Sequence, residues 1–244
     1  MGDLEDARFA LLRSLIDHAP LFPPASLPPV EALAEDGRAR SSASSFVLGR
    51  LVWPASRLAE LDGLERALSI VADAPFDPDP RVAAVEAPPD ADLGSLGGLA
   101  QEVYVEVALD DTLEYRLAEV AEHGFRAKAR CTGGPAQLSW FLVECRAQRL
   151  PYKLTGGLHH VFRGRGEHGL LNVLAAAVFG DEDEALADDD PESFRLDRSA
   201  FSWRGRTALP GEVARARETC LHSIGSCSFF EPVGELQALG ALPL

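Results

Sequence analysis

The stretch VYVEVALDDTLEYRLAEVAEHGFRAKARCTGGPAQLSWFLVECRAQRLPYKLTGG, residues 103–157, decides the fold. It alternates short β-type runs with stretches of helical character. Residues 103–109, 126–131 and 152–155 read as strands, with polar side chains recurring at every second position. Residues 113–123 read as a helix closed by Gly124. Residues 135–148 place Leu138, Phe141, Leu142 and Cys145 at helical spacing. Strand–helix–strand units in succession predict a parallel sheet with crossover helices.

Working outward, further strands are expected at residues 12–17, 46–53, 68–72 and 82–86 upstream, and at 222–228 downstream. The total is eight, which predicts an α/β fold of the (β/α)8 TIM type, with residues 1–244 forming one domain. Helices are expected at 169–179, 210–220 and 232–239. The third crossover, 73–81 (DAPFDPDPR), is too short and too rich in proline for a helix, so the barrel should be irregular there. The proline-rich stretch 19–29 forms a stiff lip, and the acidic run 181–190 is expected as a solvated loop. FSWRG, residues 201–205, is an alternative eighth strand.

Composition bounds the function classes. A chain of 244 residues, 46% hydrophobic, has enough apolar material for one large core. Its longest apolar run, 170–179, is interrupted by Asn172 and falls short of the ~20 residues that span a bilayer. The opening MGDLEDARFALL lacks a basic segment ahead of an apolar one, so a cytoplasmic location without membrane association is expected. A net charge of −15 repels phosphate backbones and argues against nucleic acid; the local basic cluster at Arg163 and Arg165 suits a small anion better. Cys131, Cys145, Cys220 and Cys227 lie far apart and are expected as reduced, mostly buried thiols. A homo-oligomer is compatible with all of this, and no cofactor is implied. Trp53, Trp140 and Trp203 read as packing residues.

The chemistry-bearing residues gather at strand ends. Lys128 and Arg130 share a strand face, as do Lys153 and Thr155, and Glu106 points opposite to Val105 and Val107. In a barrel these faces meet at the C-terminal mouth, where active sites of this fold lie. Burial disfavours a lysine cation and a second cation disfavours it further, which would yield a neutral amine able to form a Schiff base with a carbonyl. The same cations could instead hold an anion without chemistry, or pair with Glu106 or a neighbouring acid.

Four pieces of the chain resemble the strand ends of class I deoxyribose-phosphate aldolases, a family of (β/α)8 barrels. They are Val105-Glu106, Lys128-Ala-Arg-Cys-Thr-Gly133, Lys153-Leu-Thr-Gly-Gly-Leu-His159 and Ile224-Gly-Ser-Cys-Ser228. The resemblance implies Lys128 as the Schiff-base lysine and Lys153 as the cation that keeps it neutral. It implies Gly156, Gly157, Gly225 and Ser226 as backbone donors to a phosphate. The chain departs from the family where His159 stands for an arginine and where one residue is added before Thr132-Gly133. It also lacks a clear catalytic aspartate, Asp73 being only a positional candidate. The reading is therefore a Schiff-base lyase acting on a small anionic carbonyl compound, with Lys128, Lys153, Glu106 and His159 in catalysis. Arg130, Thr155, Gly156, Gly157, Gly225, Ser226 and His160 would bind the substrate.

Two other readings draw on the same residues. A non-catalytic barrel could bind an anionic metabolite. A metal-assisted hydrolase could use His18, His159, His160 and His168 with Asp17 or Glu106, although no HxH or HExxH spacing supports it and no metal is expected. Cys227, in Gly225-Ser-Cys-Ser228, lacks a nucleophile elbow and reads as a small buried residue.

Overall fold

A computed structural model describes residues 5–164 and 166–243. Arg165, half of the expected basic cluster, lies outside the described residues, as do residues 1–4 of the N-terminal segment. Eight strands close into a barrel: β1 (Ile16–His18), β2 (Leu48–Pro54), β3 (Leu68–Val71), β4 (Val82–Ala87), β5 (Glu102–Glu106), β6 (Arg126–Arg130), β7 (Tyr152–Thr155) and β11 (Leu221–Ser226). Every neighbouring pair is parallel, and β11 returns to β1 to complete the ring. The expected (β/α)8 TIM-type architecture is the one observed.

The three short strands β8 (Phe194–Leu196), β9 (Phe201–Trp203) and β10 (Arg206–Ala208) form a separate antiparallel sheet. FSWRG therefore supplies a strand outside the barrel, and the eighth barrel strand is the one ending in Gly225-Ser226.

Helices α1 (Ala7–Leu12), α2 (Pro29–Arg40), α3 (Leu113–Glu122), α4 (Pro135–Gln148), α5 (Leu170–Phe179), α6 (Glu182–Ala187), α7 (Pro210–Thr219) and α8 (Phe230–Ala238) clothe the strands unevenly. The crossovers after β5 and β6 carry long helices. Those leading from β2 to β5 carry only short 3-10 turns or, between β3 and β4, extended chain. Prolines at 75, 78 and 80 account for the bare third crossover, as expected. A smaller apolar cluster around Trp53, Leu61, Leu68 and Ile70 covers that side.

The lip expected at 19–29 is turns and irregular chain as far as Pro28 and leads into α2, with Pro29 at its first turn. Three expectations need correction. Residues 12–17 are not one strand: Leu12 ends α1, whose buried Leu11 and Leu12 join the main core, and pairing starts at Ile16. The acidic run contains α6, because Ala185 and Leu186 are fully buried and Arg146 holds Glu182 at 2.7 Å. Helix α8 starts at Phe230, two residues before Pro232, which still falls among first-turn positions that need no intrahelical N–H partner.

Alternation along the strands sorts the side chains. Val103 and Val105 on β5, with Ala127 and Ala129 on β6, point outward and join the core made with Leu117 and Val120 of α3 and Phe141 of α4. The intervening residues, Tyr104, Glu106, Arg126, Lys128 and Arg130, point inward. Barrel interiors are usually filled with branched aliphatic side chains. This one is filled largely with charge. Among the described residues no helix is long and apolar enough to cross a membrane.

Candidate functional site

The register of β5, β6 and β7 sets Glu106 beside Lys128 and Lys128 beside Lys153. All three project into the lumen, where Lys128 and Glu106 reach the mouth as expected and Lys153 stays enclosed beneath it. Between the two amines stands Glu86, the penultimate residue of β4. Lys153 Nζ lies 2.6 Å from Glu86 Oε1, and Lys128 Nζ lies 3.0 Å from Oε2. Lys153 also holds Asp17 Oδ2 at 2.6 Å, and Lys128 holds Glu106 Oε2 at 3.1 Å. Arg130 Nε then donates to Glu106 Oε1 at 2.7 Å. Ser69 donates to Glu86 at 2.8 Å, and Ser223 to Asp17 at the same distance.

The row continues toward the N-terminal face. Arg50 lies 4.0 Å from Asp17 and bonds Glu102, which faces Arg126 at 3.5 Å. Opposite charges thus alternate along the barrel axis from Arg126 to Arg130. Burying a single ion costs several kcal/mol, and only a satisfied network of this kind offsets it.

Burial pulls the Lys153 amine down, but the Asp17 and Glu86 carboxylates outweigh it and hold the group above its ordinary value. Lys153 is thus a fully enclosed cation. Burial pushes Glu86 up, yet Lys153 and Lys128 together hold its carboxyl well below the usual carboxylate range. Glu106 is likewise held low: burial opposes, while the Arg130 hydrogen bond and Lys128 prevail.

Above this row opens a cavity of about 330 Å³ at the C-terminal mouth. Its floor carries Glu86, Glu106 and Lys128, and its walls include Arg130, Thr155, Gly156, His159, Gly225 and Cys227. Phe22 and Pro23 of the proline-rich lip close one side. Lys128 reaches this space with 7% of its side chain exposed, whereas Lys153 is sealed beneath it at 0%.

Of the residues singled out from the sequence, Lys128, Glu106, Arg130, Thr155, Gly156, Gly225 and His159 share this cavity. Gly157 follows in the same turn, with φ of +70° directed against the Cys131 carbonyl. Two stand apart. His160 bonds Glu235 of α8 at 2.8 Å, and Ser226 is buried with its hydroxyl on the Ser228 carbonyl. Asp73 lies on the rim, where it caps Ser56.

Glu86 is the residue that sequence reasoning missed. Its signal was present: an acid alternating with Val85 at the C-terminal end of a strand points into a barrel mouth. The histidines do not converge. His18 lies on Asp36, His160 on Glu235 and His168 on the Gly133 carbonyl. Among the described residues no group of three or more His, Cys, Asp or Glu side chains is arranged to hold a metal ion. No protein-family model matches the chain, and neither a curated protein nor a solved structure matches it.

Proposed function

We propose that the barrel mouth is the active site of a Schiff-base-forming lyase that acts on a small anionic carbonyl compound, with Lys128 as the nucleophilic amine. The observation that carries this reading is the division of labour between the two lysines around Glu86. A lysine must surrender its proton to attack a carbonyl. Lys153, locked beneath as a cation, continues to neutralise Glu86 when Lys128 gives its proton up. The buried carboxylate is never left uncompensated.

Glu106 stands 3.1 Å from the Lys128 amine and opens to the cavity, so it is placed to accept that proton. It can return the proton to the carbinolamine oxygen, which leaves as water when the imine forms. Arg130, at 64% exposure, and the turn at Gly156 offer positive potential to the anionic end of the substrate. His159, on the opposite wall, is the second group able to move a proton. The cavity suits a ligand of a few carbon atoms.

The competing reading is a barrel that binds an anion and leaves it unchanged. The two ion pairs of Lys128 favour it, since a fully satisfied ammonium needs no reaction to explain its burial. Reductive trapping separates the two. Incubation with a panel of small phosphorylated or carboxylated aldehydes and ketones, followed by borohydride, is expected to add one substrate mass to Lys128 in a peptide map. A panel with no adduct at Lys128, alongside tight binding of the same compounds, would establish the binding reading instead.

A further inference from the structure

Gly156 and Gly157, both with positive φ, turn the chain sharply after β7 and carry His159 across to the end of β11. There its Nε2 stands 3.5 Å from the sulfur of Cys227. Both side chains line the cavity at the barrel mouth. The other imidazole nitrogen, Nδ1, faces Glu167 Oε2 at 4.0 Å. Backbone hydrogen bonds in both directions between Gly164 and Glu167 fix that acid opposite the ring. Its Oε2 is buried and, among the described residues, has no hydrogen-bond partner. The rest of the side chain is 36% exposed and free to adjust, and a movement of about 1 Å would bring Oε2 within hydrogen-bond reach of the imidazole.

From this arrangement we infer that Cys227, His159 and Glu167 form a second nucleophilic centre in the same cavity, one that takes acyl groups from esters or thioesters of small carboxylic acids. A thiol against a histidine that is oriented by an acid is the arrangement acyl transfer requires, and such contacts are commonly loose before substrate binds. The thiol sulfur attacks the acyl carbon as its proton passes to His159 Nε2. The bond from that carbon to the leaving oxygen or sulfur breaks, and His159 protonates the departing group. Water then attacks the acyl-cysteine, loses a proton to His159, and releases the acid while Cys227 recovers its proton. Burial pushes the Cys227 thiol up, so the proton must move to the histidine during attack. Lys128 and Arg130 line the same cavity and bring positive charge to it. The assignment does not depend on imine formation at Lys128.

The four cysteines of the chain provide the test. Cys220 is the more exposed, whereas Cys131, Cys145 and Cys227 are buried. Accessibility alone would therefore direct an acylating reagent to Cys220. The purified protein is treated with p-nitrophenyl acetate, digested, and the rate of acetyl incorporation read at each cysteine by mass spectrometry. Cys227 is expected to acylate at least about tenfold faster than Cys220, and to fall by about 100-fold in His159→Ala. Glu167→Gln should give a smaller drop with an unchanged circular dichroism spectrum. Should His159→Ala fail to fold, His159→Gln serves with the same expectation. Faster acylation at Cys220, or a Cys227 rate indifferent to the His159 substitution, overturns the inference. Borohydride adducts report on Lys128 and acetyl adducts on Cys227, so each assignment can fail without the other.

Discussion

Lys128 and Lys153, side by side in register on β6 and β7, grip opposite oxygens of the same carboxylate, at 3.0 Å and 2.6 Å. The shared acid is Glu86. Two ammoniums this close would repel strongly in a dry interior, so the geometry exists only because the acid lies between them.

Glu86→Gln should accordingly destabilise the fold by about 3–5 kcal/mol, because the new amide must turn its N–H groups toward one of the two ammoniums. Urea denaturation followed by circular dichroism measures this. Adding Lys153→Met removes one of the stranded charges, so the double variant should be more stable than the sum of the single effects predicts, by about 1 kcal/mol or more. Strict additivity would mean that the two side chains do not act as a unit.

The acid limb of stability follows from the same carboxylate. Glu86 titrates near ~4.3 in an unfolded chain and far lower in the fold. Its contribution is complete above about pH 4.3 and is lost as pH falls through the folded value. Lys153 is shifted the other way: its contribution is complete below about pH 10.4 and is lost only as pH rises through its raised folded value. The wild type should therefore lose stability steeply on acidification below about pH 4, and Glu86→Gln should show a flatter acid limb. Melting temperatures across a pH series give both curves.

Arg130 is set apart from the buried row by its exposure. Its pair with Glu106 is a rim contact, so Arg130→Ala should change unfolding free energy by less than about 1 kcal/mol. The expected effect lies on ligand: weaker binding of anionic compounds, with the difference narrowing as salt is raised. Calorimetric titration at low and high ionic strength would read it.

The cavity wall depends on glycine for two separate reasons, one at Gly157 in the turn after β7 and one at Gly225 on β11. Gly157 has φ of +70°, and a Cβ there would lie 3.0 Å from the Cys131 carbonyl oxygen. Gly157→Ala should cost about 1–2 kcal/mol from backbone strain alone. Gly225 has no such strain, but its Cβ would meet the Thr155 methyl at 2.9 Å and stand 3.6 Å from Lys153 Cε. Gly225→Ala should therefore disturb the cavity wall, and calorimetry should register weaker ligand binding even if the melting temperature falls little.

How far the sequence could be read depended on whether the signal was local. Strand periodicity in RAKARC and YKLT places Lys128 and Lys153 on lumen faces, and strand succession in a parallel barrel brings them together without any knowledge of contacts. Glu86 and Asp17 carried the same local signal, but strand four reads as an aliphatic run that happens to end in an acid. Only its neighbours across the barrel reveal its role. The meeting of Cys227 with His159 had no local trace at all. The two are 68 positions apart, on the ends of β11 and of the turn after β7, and the intervening chain contains a separate β-sheet. Helix α6 was hidden for another reason: Asp183 and Glu184 face outward, and it is fastened by Ala185, Leu186 and the ion pair of buried Glu182 with Arg146, a partner 36 positions away.

The bare crossovers between β2 and β5 make the barrel mechanically lopsided. On the far side each strand is backed by a helix of ten or more residues, as α3, α4, α5 and α7 are. Behind β3 and β4 the crossovers are short turns or extended chain over a small apolar cluster, to which α2 adds Ala32 on the β2 side. Fewer buried contacts mean cheaper local opening, so thermal fluctuations should loosen this quadrant first and amide protons there should exchange soonest. Glu86 sits on one of those strands. Excursions of the thinly clad wall would therefore reach the lysine pair directly, giving the polar axis of the barrel a route to solvent that its helix-backed side denies.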